Sequence, residues 1–306
     1  MESKIIGSKI AKARKKMNIS QAQLAEQLSI SPQAVGKWER GESVPDIIMI
    51  NRITKILGVD LNYFSNETIS TASKTTTGEI GDNHQTTEVD SNSGRQLLTN
   101  FSGSNLPETD FAGVTAHRRK FNGSSLSGSD FSRADLTGSM FTGSDVRDAN
   151  FDETNLTDCT LSANDLTNAS FNKTILVRTV FNASGLTGAK FAEIDLNDVK
   201  LTNTDLRKTI FENCVFKGVD FKHSDMRGLC LDSQTFIDVT FDNTALNGAS
   251  FKGATLKNVS FRATFALTNK YFRALKTISF DNAKMDKLTY AALKGVGVDL
   301  SKVTVI

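Results

Sequence analysis

The sequence predicts a multidomain chain with an all-α N-terminal domain, a long solenoid and a small helical C-terminal cap. Three observations carry this fold class. Apolar residues recur at a spacing near 3.6 through residues 1–64, as they do in amphipathic helices. Residues 66–95 nearly lack apolar side chains. From Asn100 onward a five-residue period takes over, and this period requires a backbone that turns a corner in every unit.

Composition limits the classes of function. The 306 residues suggest about two domains, and 36 basic against 34 acidic residues leave no global attraction to nucleic acid. No stretch approaches the ~20 apolar residues that span a bilayer, and no signal-peptide pattern is visible, so we expect a cytoplasmic protein without a membrane partner. The three cysteines and three histidines are scattered. A disulfide framework, a metal site and a cofactor are therefore not expected.

Two short helices are predicted in the segment SQAQLAEQLSISPQAVGKWERG. Ser20 is a suitable N-cap for a helix that starts at Gln21 and carries Ala25 and Leu28 on its inward face. The turn that follows contains Ile30, which we expect to be a buried apolar plug.

The second of these helices presents an outward stripe. Ser31 caps it, and Pro32 occupies its first position, where no amide hydrogen is missed. Val35 and Trp38 are three residues apart and face the core, and Gly41 ends the helix. The residues that then point outward are Gln33, Ala34 and Lys37.

The segment from Ser20 to Gly41 resembles the Cro/repressor (Xre-type) helix-turn-helix family. The resemblance implies that the second helix enters the major groove of double-stranded DNA with its N-terminal residues at base edges. Gln33 is then placed to pair with adenine, and Lys37 to reach guanine or a phosphate. Gln21, at the start of the preceding helix, is a candidate phosphate contact. Further DNA-binding candidates are Ser31, Ala34, Arg40, Arg14 and Lys16.

The local charge predicts moderate DNA affinity from one such domain. Residues 1–67 hold ten Lys and Arg against seven Asp and Glu, a net of +3, so we expect the protein to act as a homodimer. Glu42 and Asp46 follow the second helix and would repel phosphate. Two other interpretations stay open: a scaffold of this type that binds only protein, and outward polar residues that are merely solvated.

The domain limits follow from the changes in pattern. Residues 66–95, rich in Thr, Ser, Asn and Gly, cannot bury enough surface to offset their ordering entropy and are interpreted as a flexible linker. The predicted units are a helix-turn-helix domain at 1–65 with its motif at 20–39, the linker at 66–95, the solenoid at 96–264 and the cap at 265–306.

Each five-residue unit has a large apolar centre and a small residue two positions earlier. The centres begin at Phe101 and continue every five residues through Phe261 without insertion. Units such as Ser-Arg-Ala-Asp-Leu, which ends at Leu136, resemble the pentapeptide-repeat family. The resemblance implies a right-handed quadrilateral β-helix with four units per coil and about eight coils.

Phe and Leu alternate along the centres. Phe occupies every tenth position from 101 to 261 except at Leu161, Leu201 and Leu231, and Leu prevails between them. In a twenty-residue coil the rings stack in columns, and each centre contributes ~1.5–3 kcal/mol of burial. The filled interior leaves no room for a catalytic cleft, and no nucleophile–base pair or phosphate loop is visible, so an enzyme is not expected.

Several residues break the interior pattern. Cys159 and Cys214 stand at small-residue positions and are expected inside, whereas Cys230 is expected outside. Arg119 also stands at a small-residue position, beside Ala116 at a centre. Since an arginine does not fit that interior, we expect the coil to bulge there. The surrounding basic run is either a patch for phosphate or a partner, or part of a poorly formed first coil.

The cap is predicted to contain two helices. Leu267, Tyr271 and Leu275 have the spacing of a short amphipathic helix, and residues 286–295 form a second helix with Gly295 at its end. An open solenoid end must be covered, and an apolar cap surface is also a candidate dimer interface.

Two functions of different classes remain. The first is a sequence-specific DNA-binding transcriptional regulator whose solenoid contacts an unidentified protein partner or a second copy. The second is a protein that interacts with DNA gyrase or another topoisomerase, as the resemblance to quinolone-resistance members of the pentapeptide family implies. Residues 96–306 hold 24 Lys and Arg against 23 Asp and Glu, so the solenoid is a poor copy of a polyanion. The acidic clusters to examine are Asp152, Glu153 and Asp158, and Glu193, Asp195 and Asp198.

Overall fold

A computed structural model describes residues 2–45, 47–59, 61–64, 100–263 and 268–306. The chain forms two compact units, Met1–Asn100 and Phe101–Ile306. The predicted linker lies outside the described residues. Within the described ranges, no helix is both long and apolar enough to cross a membrane.

The first unit is built from short helices. These are α1 (Glu2–Lys16), α2 (Gln21–Leu28), α3 (Pro32–Glu39) and α4 (Ile47–Leu57), with a 3₁₀ turn at Leu61–Phe64. Helices α1 and α2 both pack against α3, and α4 contacts α2. The fully buried side chains at the centre include Ile10, Leu24, Leu28, Val35 and Ile53.

The predicted helix caps of α2 and α3 are confirmed. The Ser20 hydroxyl accepts the amide of Gln23 at 3.1 Å, and the Gln23 side chain accepts the amide of Ser20 at 2.7 Å. This reciprocal pair satisfies two backbone donors at the start of α2. At the start of α3 the Ser31 hydroxyl accepts the amide of Ala34 at 3.3 Å.

The turn residue Ile30 is half-buried, so the prediction of a buried plug is wrong. Ser29 ends α2 in the left-handed conformation with φ 58°, and the Ile30 amide donates to the Ala25 carbonyl at 2.9 Å. An apolar residue just past such a cap packs on the last turn of its own helix and keeps one side in solvent.

Helices α1 and α3 cross in direct backbone contact at Gly7. A Cβ at this position would overlap the carbonyl oxygen of Trp38 and lie 3.0 Å from the carbonyl carbon of Glu39. Only glycine allows this approach, which fixes α3 close against α1.

The second unit is a β-helix with four five-residue units per coil. Parallel bridges join residues twenty apart, from Asn105 with Ser125 to Thr240 with Ser260. One face carries three parallel strands, β1 (Ser170–Asn172), β3 (Lys190–Ala192) and β5 (Ile210–Glu212). A second face carries seven: β2 (Leu176–Val177), β4 (Asp195–Asn197), β6 (Val215–Lys217), β7 (Thr235–Ile237), β8 (Thr255–Lys257), β9 (Lys284–Met285) and β10 (Thr304–Val305).

The interior of the β-helix contains the predicted phenylalanine columns. The rings of Phe101 and Phe121 stack at 4.8 Å with an interplanar angle of 7°. Rings of the two columns meet edge to face, as Phe111 and Phe121 do at 6.0 Å and 78°. Both geometries are those that aromatic pairs prefer.

Many of the small residues two positions before the centres also donate hydrogen bonds to the preceding coil. The hydroxyl of Thr154 donates to the carbonyl of Phe131 at 2.6 Å, and Thr174 donates to Phe151 at 2.8 Å. Each such bond joins a small residue to the centre carbonyl 23 positions earlier, on the preceding coil. Further donors in this hydroxyl ladder are Ser124, Ser129, Ser139, Thr179, Ser184, Thr204, Thr209 and Thr244.

The cysteines lie where the repeat predicts. Cys159 and Cys214 are buried and Cys230 is exposed. The Cys159 thiol takes a place in the hydroxyl ladder and donates to the Leu136 carbonyl at 3.0 Å. Burial raises the pKa of Cys159 to about 12 and that of Cys214 to about 11, which keeps both thiols protonated.

The predicted bulge at Arg119 is wrong. Arg119 is 3% exposed, yet the bridges of Thr115 with Asp135 and of Lys120 with Met140 continue past it in register. Arg119 belongs to the first coil, and its neighbouring centre is Ala116, where most coils have Phe or Leu. The smaller centre leaves interior volume for the long aliphatic stem of the arginine.

The repeat register shifts once, before the C-terminal end. Ser250 pairs with Ser279, 29 positions away instead of 20, and Phe280 stacks on Phe251 at 5.4 Å. The additional residues include helix α5 (Thr268–Leu275). After one further partial coil come helix α6 (Lys287–Gly295), capped by Asp286, and then β10 at the end of the seven-stranded sheet.

Candidate nucleic-acid interface

The outward stripe of α3 is the surface that the sequence predicts for DNA contact. Gln33 and Lys37 are both exposed and lie one helical turn apart, with Ala34 half-buried beside them. On the opposite side of α3, Val35 is 0% and Trp38 8% exposed. The helix therefore has one face fixed in the core and one polar face free to meet a ligand.

The N-terminal end of α3 is open to solvent. Ser31 is exposed, and its hydroxyl oxygen is used to accept the Ala34 amide. A serine hydroxyl that accepts a hydrogen bond can still donate its own hydrogen. Ser31 therefore combines its capping role with the ability to donate to a phosphate oxygen.

Arg14 has a structural role instead of the phosphate contact expected from the sequence. Its guanidinium makes a two-pronged ion pair with Glu39, with N–O distances of 2.6 and 2.9 Å, and also donates to the Ile19 carbonyl at 2.7 Å. The side chains of Arg14 and Glu39 are only 10% and 8% exposed. The guanidinium is thus buried within the unit, where its hydrogen bonds go to Glu39 and Ile19.

Gln21 belongs to the same network. Its side-chain amide donates to the second carboxylate oxygen of Glu39 at 2.7 Å, and the residue is half-buried. The network ties the last residue of α3 to α1 through Arg14 and to the first residue of α2 through Gln21. The network thereby holds α3 in a fixed orientation against α1 and α2. The other phosphate candidate on α1, Lys16, is exposed.

The charge of Glu39 is stabilised by this network. Burial by itself favours the neutral acid, but the hydrogen bonds from Arg14 and Gln21 hold the pKa of Glu39 below its usual value. The carboxylate therefore stays ionised at neutral pH and keeps both partners in place.

Arg40 and Glu42 form a second, exposed ion pair at the C-terminal end of α3. Their N–O distance is 2.6 Å, and their side chains are 60% and 51% exposed. Arg40 also lies over Gly36, where an added Cβ would come within 3.0 Å of the guanidinium and 3.7 Å of the Gln21 side chain. Because exposed pairs contribute little to stability, Arg40 can exchange Glu42 for a phosphate at small cost.

Glu42 is the acidic residue that the sequence predicts to repel DNA. In the structure Arg40 holds its carboxylate and is the main reason for its lowered pKa. Asp46, the second such residue, lies outside the described residues. The residue that sequence reasoning missed is Glu39, because its partner Arg14 is 25 positions away and no local spacing marks the pair.

Comparisons with known proteins divide the chain in the same way. Residues 10–64 match the helix-turn-helix family. Residues 98–132 and 120–152 match pentapeptide repeats, and residues 154–229 match a pentapeptide repeat region.

One curated relative resembles the first unit. It is described as an SPbeta prophage-derived uncharacterized HTH-type transcriptional regulator, YonR, of Bacillus subtilis strain 168. It is 32% identical over 59 residues, which are 19% of this chain and 55% of that protein. The match thus spans about half the length of the relative.

Two solved structures resemble the second unit. HetL, a pentapeptide repeat protein involved in heterocyst differentiation regulation from Nostoc sp. strain PCC 7120, is 20% identical with a TM-score of 0.37, over 60% of this chain and 86% of its own. QnrB1, a plasmid-mediated fluoroquinolone resistance protein, is 17% identical with a TM-score of 0.33, over 64% of this chain and 86% of its own.

Proposed function

Because the chain joins an Xre-type helix-turn-helix domain to a pentapeptide-repeat domain, we propose that it is a sequence-specific double-stranded DNA-binding protein that regulates transcription. The observation that carries the proposal is the exposed stripe of Gln33 and Lys37 on a helix whose other face is locked into the core. In this role Gln33 reads adenine through its side-chain amide, and Lys37 contacts guanine or a phosphate. Ser31 and Arg40 contact phosphates of the DNA backbone on either side of these two residues.

The proposal predicts that both Gln33→Ala and Lys37→Ala weaken binding of the full chain to the DNA upstream of its own reading frame. Loss of one base contact of this kind corresponds to about 1–3 kcal/mol, or roughly five- to 150-fold in affinity. The measurement is a mobility-shift titration at fixed salt concentration, since phosphate contacts make affinity salt-dependent.

Two matched variants control for the loss of a polar group and of a charge. Gln27→Ala removes an exposed amide from α2, and Lys257→Ala removes an exposed charge from the β-helix. Both are expected to bind as the wild type does. Unchanged binding of Gln33→Ala and Lys37→Ala, or a wild type that shifts no duplex, contradicts the proposal.

We also propose that the protein is a homodimer joined through the C-terminal end of its β-helix. Large apolar side chains are exposed there: Leu288 on α6 is 76% exposed, Val305 on β10 is 43% exposed and Ile306 is 48% exposed. Such a patch is typical of a protein–protein interface.

The dimer proposal predicts that Leu288→Asp shifts the protein to a monomer in sedimentation equilibrium. A charge placed in an apolar interface is desolvated without a partner and opposes association. Ile175→Asp, at an exposed position on a side face, is the control and should leave the mass unchanged. A wild type that sediments as a monomer at all concentrations contradicts the proposal.

The alternative function, binding of DNA gyrase or another topoisomerase by a β-helix that imitates DNA with an acidic surface, is not favoured by the surface charges. Three of the six acidic residues in the predicted clusters have basic partners. Asp158 pairs with Arg178 at 2.6 Å, and Asp195 pairs with Lys217 at 2.6 Å. Glu193 is 3.5 Å from Lys173, which neutralises this cluster further. The partner that we propose for the β-helix is therefore a second copy of the chain or another protein.

A further inference from the structure

The helix α5 lies on the side of the β-helix as a docked insertion. In the hydroxyl ladder, the carbonyl of Phe221 accepts a hydrogen bond from the Thr244 hydroxyl. The carbonyl of Phe241, one coil further on, is the next acceptor in this series. The phenol of Tyr271 on α5 donates to this carbonyl at 2.7 Å and so takes the place of a ladder hydroxyl. Burial raises the pKa of Tyr271, so the phenol remains a donor.

Three further contacts hold α5 in place. Ala274 is 4% and Leu275 0% exposed. Just beyond the helix, the Thr277 hydroxyl accepts the Gly248 amide at 2.8 Å. With its apolar side buried and the residues just beyond its C-terminal end bound to the β-helix, α5 forms a wall beside the coil surface.

Between α5 and the coil surface lies a groove, which we call the α5 groove. It consists of two adjoining cavities of about 280 and 170 Å³ that share Asn243, Ala245, Asn247 and Lys270. The larger cavity continues past His223, Ser224, Asp225 and Arg227. The smaller cavity continues past Thr244, Tyr271 and Ala274.

The charges around the groove are those of an anion site. Lys270 of α5 and Arg227 of the coil surface both line the larger cavity. The carboxylate of Asp225 is already held by Arg227 at 2.6 Å and is 3.5 Å from Arg207. The side-chain amide of Asn247 adds a neutral donor. The larger cavity thus combines an excess of positive charge with hydrogen-bond donors from two elements, α5 and the coil surface.

The smaller cavity is less polar. Ala245 and Ala274 contribute methyl groups, and Tyr271 contributes its ring. The Tyr271 hydroxyl is occupied, because it donates to the Phe241 carbonyl. A ligand that fills both cavities therefore has an anionic end and an organic body. Donors supplied by two separate elements suit a phosphate group, which has three terminal oxygens, better than a planar carboxylate with two.

We propose that the α5 groove binds a small phosphate monoester. The phosphate lies between Lys270 and Arg227, and the organic part lies against Ala245 and Ala274. Asn247 supplies a hydrogen bond at the junction of the two cavities. The residues of this site all belong to the second unit, whereas Gln33 and Lys37 belong to the first.

The test is isothermal titration of the full chain with ribose 5-phosphate, AMP, adenosine, inorganic phosphate and benzoate. We expect at least one of the two phosphate monoesters to bind at least ten-fold more tightly than inorganic phosphate, adenosine or benzoate. Failure of both monoesters to bind overturns the proposal. Benzoate binding as tightly as the monoesters overturns the assignment to phosphate, and inorganic phosphate binding as tightly overturns the role of the apolar cavity.

Variants locate the site. Lys270→Ala removes the cation of α5, and Asn247→Asp places a negative charge at the junction of the cavities, so each should weaken monoester binding at least ten-fold. Lys276→Ala, an exposed position just beyond α5 that does not line the groove, is the matched control and should bind as the wild type does. Circular dichroism verifies that each variant is folded. Folded Lys270→Ala and Asn247→Asp proteins that bind the monoester with wild-type affinity overturn the proposal.

Discussion

Replacing Glu39 with alanine is expected to lower the free energy of unfolding of the helical unit by about 3–5 kcal/mol. The substitution leaves the guanidinium of Arg14, a residue that is 8% exposed, without the carboxylate that neutralises it. It also removes the acceptor of the Gln21 amide. A buried charge that loses its partner lowers the free energy of unfolding far more than an exposed charge does.

The chain provides both a probe and a control for this experiment. Trp38 is the only tryptophan and lies in α3, so its fluorescence reports unfolding of the helical unit alone in a denaturant titration. Glu42→Ala breaks the exposed pair with Arg40 and is expected to change the free energy by less than about 1 kcal/mol. Equal effects of the two substitutions contradict the structural role of the Glu39 network.

The same network predicts that the helical unit loses stability in acid. The pKa of Glu39 is below its usual value in the folded state, so its contribution to stability is fully present above the unfolded-state pKa of about 4.3. The contribution is lost as the pH falls through the lower, folded-state pKa. Trp38 fluorescence followed between neutral pH and strong acid should therefore show a step in wild type that is much smaller in Glu39→Ala.

Replacing Phe171 with alanine is expected to destabilise the β-helix by about 3–5 kcal/mol. Phe171 is 0% exposed and stacks between Phe151 at 5.2 Å and Phe191 at 4.6 Å. It also meets Phe181 edge to face at 5.8 Å. Alanine leaves a cavity inside a column, and both neighbouring coils lose a stacking surface.

Two matched substitutions show whether the column is the cause. Leucine already occurs in this column at Leu231. We therefore expect Phe171→Leu to lower the free energy of unfolding by only about 1 kcal/mol. Ile175→Ala changes a side chain that is 50% exposed on the same coil and should cost less than about 0.5 kcal/mol. The measurement is denaturant unfolding followed by far-ultraviolet circular dichroism at β-structure wavelengths. If the Phe171→Ala protein is as stable as the Ile175→Ala protein, the phenylalanine column does not stabilise the β-helix as we expect.

The regular parts of the fold are predictable from the sequence because they repeat or are local. A period of five with alternating Phe and Leu predicts a regular solenoid with stacked apolar centres, and the resemblance to pentapeptide repeats adds four units per coil and hence two columns of rings. The caps Ser20 and Ser31 are also local, because each acts on an amide three residues away. Such features require no knowledge of which distant residues meet.

The features that the sequence does not reveal depend on distant contacts. Arg14 looks like one more surface cation until the crossing of α1 and α3 brings it to Glu39. Arg119 looks too large for its position because the space beside Ala116 exists only once the first coil is built. The α5 groove is likewise invisible, since the break in period predicts a helix at Tyr271 but not the surface on which it docks.

Recognition of DNA sequence by α3 is tested most sharply by selecting ligands from a random duplex library with the full chain. We expect the wild type to enrich a defined motif, and Gln33→Ala to enrich a motif in which one A·T pair has lost its preference while the flanking pairs are kept. Lys37→Ala should weaken preference at a neighbouring position or lower recovery overall. A wild type that enriches no motif, or a Gln33→Ala protein that enriches an unaltered one, would contradict the claim that α3 reads DNA sequence.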